Sequence, residues 1–233
     1  MRIFKSPYLA ALAVTIGLAT TGAPITSAKA VSIDFASIAE FGSLGEGAIG
    51  GTNGIYSNPL TTGQGFPISG LQITSNGTNS AYMDSYSGGK RGGLGACSII
   101  NSAGQCAPNS DDNLSLGEEI TISLVGGGLF DWTVLEFRND DHNLTSTTDT
   151  LTVTTNGGSL AASTFGDELF TTYSDISSIT YGFGGSSPDN YYIAVADLTT
   201  DPITSTEVAE PGTLMVLGLG ILGLGYIRRK RAA

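Results

Sequence analysis

From residue 31 to residue 198 the chain alternates apolar and polar side chains in short runs, most of them ended by glycine, asparagine or proline. That rhythm restricts the fold more than any single residue does. A period of two puts every second side chain on one face of an extended segment, the pattern of a half-buried strand. Val31, Ile33 and Phe35 alternate with Ser32 and Asp34, and Ile120, Ile122 and Leu124 share one side of residues 119–125. Gly126-Gly127-Gly128 then separates that run from residues 130–137, so the two are expected to form a hairpin or a sheet-crossing pair. Further strands are predicted at residues 66–74, 80–83, 159–165, 169–173, 177–183 and 191–198, and around Leu151 and Val153.

A sustained apolar stripe at helical spacing is missing from this region. The closest candidate, residues 34–41, reads at least as well as a strand. The abundance of Thr, Ser and Gly also disfavours helix. About nine or ten strands in one stretch predict an all-β domain over residues 31–198, a two-sheet β-sandwich of jelly-roll type. A barrel is the alternative. The length suffices for a sizeable core.

The ends have a different character. Residues 1–30 read as a signal peptide, with Arg2 and Lys5 ahead of an apolar stretch at residues 9–20 and Ala28-Lys29-Ala30 as the cleavage pattern. The mature chain is then expected to start at Val31. An N-terminal membrane anchor is the alternative, weakened by Gly17, Gly22 and Pro24. Residues 199–207 are polar, contain Pro202 and read as a spacer. All twenty-one acidic residues lie between Asp34 and Glu210, where the only bases are Lys90, Arg91 and Arg138. Three bases against twenty-one acids leave a formal charge of −18 on residues 31–210. Nucleic acid and anionic membrane surfaces are poor partners for such a domain, whereas divalent cations are compatible with it.

The two cysteines, Cys97 and Cys106, lie in a loop-like stretch and suit export. A disulfide between them would close a short ring, worth roughly 2.5–3 kcal/mol on the chain-entropy account. A metal site needs more ligands than two cysteines and one distant histidine supply.

Two acidic groups flank successive predicted strands. Asp111-Asp112-Asn113 with Glu118 and Glu119 precedes the first, and Asn139-Asp140-Asp141-His142-Asn143 follows the second. If their ends converge, Asp111, Asp112, Asn113, Glu118, Asp140 and Asp141 could gather the six to eight hard oxygen ligands that Ca2+ takes. Solvated turn carboxylates that cap their own backbones are the competing reading. Catalysis has little support, because His142 is the only histidine and no G-x-S-x-G elbow presents a serine to it. The chain is therefore read as non-catalytic. Sugar contact would use an aromatic platform beside Asp and Asn, for which Trp132, Tyr82, Tyr86, Tyr181, Tyr191 and Tyr192 are available. Trp132 shares a face with Phe130, Val134 and Glu136 and is read as core.

Residues 208–233 combine a Glu210-Pro211-Gly212 turn, an apolar run at residues 214–227 and the cluster Arg228-Arg229-Lys230-Arg231. As a helix the apolar run would span about 21 Å, short of a roughly 30 Å hydrocarbon core, which suits a temporary insertion. The glycine spacing Gly218, Gly220, Gly223 lacks the βαβ context of a dinucleotide site. This order of turn, apolar run and basic cluster resembles the PEP-CTERM sorting signal of Gram-negative bacteria and cyanobacteria. Glu210 and Pro211 match its motif, and Ala209 stands where the family usually has its first proline. The resemblance implies recognition by an exosortase, a transient stay in the inner membrane with residues 228–231 as the stop, and release to the cell surface or matrix. It also implies an association with exopolysaccharide.

A second pattern, Gly93-Leu94-Gly95, Asp111-Asp112-Asn113, Gly117-Glu118 and Asp141-His142, is similar to one carried by several PEP-CTERM proteins. That likeness implies a shared β-sandwich and brings no assigned activity. The resulting expectation is an exported, non-catalytic surface or matrix protein that binds carbohydrate and is stabilised by calcium. The alternative is a secreted hydrolase acting on polysaccharide.

Overall fold

The computed structural model describes residues 29–51, 53–108, 111–184 and 190–200. The signal-peptide segment before Lys29, the spacer beyond Thr200 and the whole tail lie outside the described residues. The elements are β1 (Lys29–Asp34), α1 (Phe35–Phe41), β2 (Gly47–Ile49), β3 (Leu71–Ser75), β4 (Ser80–Met83), β5 (Tyr86–Ser87), β6 (Lys90–Arg91) and β7 (Leu94–Cys97). There follow β8 (Glu119–Leu124), β9 (Phe130–Asn139), β10 (Thr150–Thr155), β11 (Ala161–Thr164), α2 (Phe165–Glu168), β12 (Thr172–Ile176), β13 (Ser178–Phe183) and β14 (Tyr191–Thr200).

Two antiparallel sheets enclose the core. One has the order β12-β9-β14-β7-β4-β2, with β1 added along β14; the other runs β11-β10-β13-β8-β3. The expected all-β sandwich is therefore present. β8 and β9 form no hairpin: β8 pairs with β3 and β13, while β9 pairs with β12 and β14 in the other sheet. Of the two expected arrangements, the sheet crossing is the one that forms. β1 pairs along β14 from Lys29↔Thr200 to Asp34↔Val195, so strand pairing starts just before Val31 and runs two residues into the stretch read as spacer.

The sequence expectation of a strand over residues 34–41 is corrected. Asp34 ends the alternation because its carboxylate accepts a 2.8 Å hydrogen bond from Ser37 N, capping α1. Phe35, Ala36 and Ala39 then face the interior at helical spacing. At residues 159–165 a Thr164 cap likewise turns Phe165 into the first residue of α2. Leu94-Gly95-Ala96-Cys97, read as loop, is the strand β7; buried on both faces, its small residues show no alternation.

A pair of bulges resolves the mixed faces of β9. Ile193 pairs with Phe137, Val195 with Glu136 and Ala196 with Val134, so Ala194 and Leu135 are each extra in their own strand. The phase of β9 changes between them. Phe130, Trp132 and Val134 point inward before the bulge, and Phe137, not Glu136, points inward after it. Phe137 then meets Phe165, Tyr181 and Tyr191 at ring-centroid distances of 5.0, 6.1 and 5.8 Å. Burial of large aromatic rings supplies much of a core's hydrophobic stabilisation.

Candidate functional site beneath the disulfide loop

The seven-stranded sheet has a second covered face. On β4, Ala81 and Met83 join the main core, while Tyr82 belongs to a smaller cluster with Ala48, Cys97 and Cys106. On β14, Tyr191 and Ile193 join the core, and Tyr192 points the other way. The outer face is covered by residues 97–108 and 111–113, and the Cys97–Cys106 disulfide, with a Cα–Cα distance of 5.8 Å, closes residues 97–106 of that cover into a loop. Leu114 fixes the end of that cover by exchanging backbone hydrogen bonds with Tyr191 at 2.7 and 3.1 Å.

Glycine makes this close contact possible. A Cβ on Gly95 would sit 2.1 Å from the Asp112 carbonyl oxygen, so residues 112–113 lie directly on the sheet there. A Cβ on Gly92 would meet Asp84 Oδ2 at 2.1 Å. Any larger residue at either position would push the cover or the carboxylate away.

Between cover and sheet lie three carboxylates. Glu46 precedes β2, Asp84 follows β4 and Asp112 belongs to the cover; one ligand oxygen from each lies within 4.8 Å of the others. Tyr82 Oη donates to Glu46 Oε1 at 2.7 Å, and Ser85 Oγ donates to Glu46 Oε2 at 3.0 Å. Gln105 Nε2 donates to the Glu46 carbonyl at 2.6 Å, tying the disulfide loop to the same point. Tyr192 Oη donates a short hydrogen bond to Asp112 Oδ1. His142 arrives from the turn after β9, with Nε2 3.2 Å from Asp84 Oδ2 and its ring edge-on to Tyr192.

The charge here is poorly compensated. Among the described residues, Arg91 pairs with Asp34 and Arg138 with Glu136, and neither pairs with these three acids. Burial, followed by the Asp112 and Glu46 charges, pushes the Asp84 carboxyl up to about 8. Burial raises Asp112 to about 6 even though Tyr192 donates to it. Burial lowers the pKa of His142. Asn113 Oδ1 is buried with no hydrogen-bond partner, and Asp84 Oδ2 is buried with His142 Nε2 beside it at 3.2 Å but no hydrogen bond. Buried polar atoms are nearly always satisfied in native proteins, so these two oxygens require an explanation.

Of the residues expected to gather, Asp112 and Asn113 are in this group. His142 joins through Asp84. The other four lie elsewhere. Asp111 accepts from Ser98 N at 3.1 Å and from Ser98 Oγ, beside the disulfide. Its neighbours Cys97 and Cys106 offer no thiolate, because their sulfurs are joined. Glu118 accepts from Ser115 N and Oγ at 2.9 and 2.7 Å and caps its own turn. Asp140 and Asp141 are exposed in the turn after β9. Glu46 and Asp84 are isolated acids along the chain, so clustering in sequence does not reveal them. The available signal was the glycine spacing Gly92-Gly93-Leu94-Gly95, which marks a backbone closely approached from outside.

The aromatic candidates are mostly interior. Trp132, Tyr82, Tyr181, Tyr191 and Tyr192 are buried, leaving Tyr86 half-buried. The exposed aromatic rings include Phe41 and Phe170.

The described chain is thus an all-β sandwich closed on one outer face by a disulfide loop, an architecture suited to an oxidising compartment. Residues 207–231 match the family model of the PEP-CTERM protein-sorting motif. The chain carries that motif at its C-terminus, and the motif marks an exported protein sorted by an exosortase, its processing partner. No curated protein and no solved structure matches the chain. Among the described residues no helix is long and apolar enough to cross a membrane; the apolar run of the tail lies outside them.

Proposed function

We propose that this exported protein is a non-catalytic component of the cell surface or extracellular matrix that contacts polysaccharide. The observation that carries the reading is an open groove lined by Ser32, Asp34, Ser37, Ile38, Phe41 and Gly42. Phe41 is 78 % exposed there, and its ring leans on Tyr86 with centroids 6.0 Å apart. A flat apolar ring beside hydroxyl and carboxylate groups is the chemistry that receives a sugar's C–H face and its hydroxyls together.

Hydrolysis would need two carboxylates flanking the bound sugar. Asp34 is the sole carboxylate among the groove's lining residues, and it already caps α1 and pairs with Arg91 at 3.1 Å. His142 faces Asp84 and Tyr192 beneath the cover. Binding of the exported protein to its host's exopolysaccharide, measured calorimetrically, tests the reading. Phe41→Ala is expected to weaken binding about tenfold, equivalent to roughly 1.4 kcal/mol. Unchanged binding in Phe41→Ala would sink the groove assignment. Release of reducing ends, abolished by one Asp or Glu substitution, would establish the hydrolase instead.

A further inference from the structure

We propose that Glu46, Asp84 and Asp112 bind one hard divalent cation of the Ca2+ class beneath the disulfide loop, with Asn113 Oδ1 as a fourth protein ligand. One oxygen from each of the three acids lies within 4.8 Å of the other two. Ligands placed about 2.4 Å from a shared centre are at most about 4.8 Å apart, so the three oxygens are close enough to share one Ca2+. Three carboxylates, two of them deeply buried, meet no Lys or Arg partner among the described residues, whereas buried charges are ordinarily paired or bound to metal.

The orphaned atoms supply a second, independent observation. Asn113 is 2 % exposed and its Oδ1 has no partner, while its side chain lies beside the Tyr192 hydroxyl that serves Asp112. Asp84 Oδ2 is likewise buried and makes no hydrogen bond, its one ion-pair neighbour among the described residues being His142 Nε2 at 3.2 Å. The oxygens that are already satisfied are held from behind: Tyr82 and Ser85 orient Glu46, and Tyr192 orients Asp112. Such outer partners fix the geometry of first ligands. His142 is a positioning residue for Asp84. The donor set is oxygen, and the disulfide removes the thiolates a softer ion would choose. Extracellular modules bind Ca2+ with Kd of about 10⁻⁴–10⁻³ M, which suits a protein that meets the ion after export. The ion would join the edge at β2, the end of β4 and the cover in one contact. This site is separate from the saccharide groove, and neither assignment rests on the other.

The test uses the exported protein stripped with EDTA and titrated with Ca2+ alone, reading metal content and Tm. One Ca2+ per chain is expected, with Tm rising by roughly 5–10 °C at a hundredfold excess over Kd. Asp84→Asn and Asp112→Asn should each abolish the rise, and Asp140→Asn, in an exposed turn, should retain it. In EDTA, Asp84→Asn should melt higher than the parent, a reversal that a purely structural carboxylate would not show. Should the buried variants fail to fold, half-buried Glu46→Gln gives the same reading through a Kd at least tenfold weaker. A folded parent that ignores Ca2+ overturns the proposal. So does a response that survives both Asp84→Asn and Glu46→Gln, one lost in Asp140→Asn, or one to Zn2+ but not Ca2+.

Discussion

The two faces of the seven-stranded sheet use the same strands and opposite chemistry. Toward the other sheet, Ala81, Met83, Tyr191 and Ile193 pack among Phe137, Phe165 and Tyr181. On the outer side, the alternate residues Tyr82, Asp84 and Tyr192 meet Glu46, Asp112 and His142 beneath a disulfide loop. The inner face is held by apolar burial, which is non-directional and proportional to area. The outer face is held by directed hydrogen bonds, one covalent bond and carboxylates whose charge needs a partner. Stability is thus concentrated on one side of the sheet and specific chemistry on the other.

The largest break in this contrast should come from the inner face. Phe137→Ala removes the ring that touches three other aromatics and should cost about 4 kcal/mol in urea unfolding, with Ca2+ response retained in the folded fraction. Replacing both cysteines by alanine should cost less, roughly 2.5–3 kcal/mol, while loosening only the outer cover. Hydrogen exchange should then accelerate at residues 98–107 and stay slow in β9.

Gly95→Ala sharpens the comparison further. The new methyl would start 2.1 Å from the Asp112 carbonyl, so the cover must lift, at a cost of about 2 kcal/mol. A crystal structure of the variant with Asp112 unmoved would contradict this account of the site. The smallest and most selective effect is pH dependence in EDTA. Asp84 has its folded value raised to about 8, above an ordinary carboxyl. Its stabilising contribution is therefore complete below about pH 4 and is lost as pH rises from there toward about 8. Tm of the stripped protein should fall across that window more than Tm of stripped Asp84→Asn does.

Much of the fold was readable from alternation. Ile120, Ile122 and Leu124 predicted β8, and residues 80–83 predicted β4 with the same ends. Reading failed where one local interaction outweighed the period. Asp34 capped a helix through Ser37, and β7, covered on both faces, had no polar phase to display. The bulges at Leu135 and Ala194 also escaped notice, because an inserted residue leaves composition untouched while changing which side chains point inward. In the site, the run of acids points to Asp112 and Asn113, whereas Asp111, Glu118, Asp140 and Asp141 from the same runs are engaged or exposed elsewhere.

Local sequence by itself determined what depends on near neighbours. It set the strand class, the acidic surface, the availability of two cysteines for one bridge, and a C-terminal motif that a sorting enzyme reads as a linear address. Tertiary structure alone decided which acids meet. Glu46, Asp84, Asp112 and His142 are far apart in the chain, and they converge because pairing β2 with β4 and β14 with β7 and β9 aligns them, with the cover pressed onto Gly95. The burial that raises the Asp84 pKa and leaves Asn113 Oδ1 without a partner is a property of that assembled layer. An address can be read along a chain. A pocket of charge exists only once solvent has been excluded from around it.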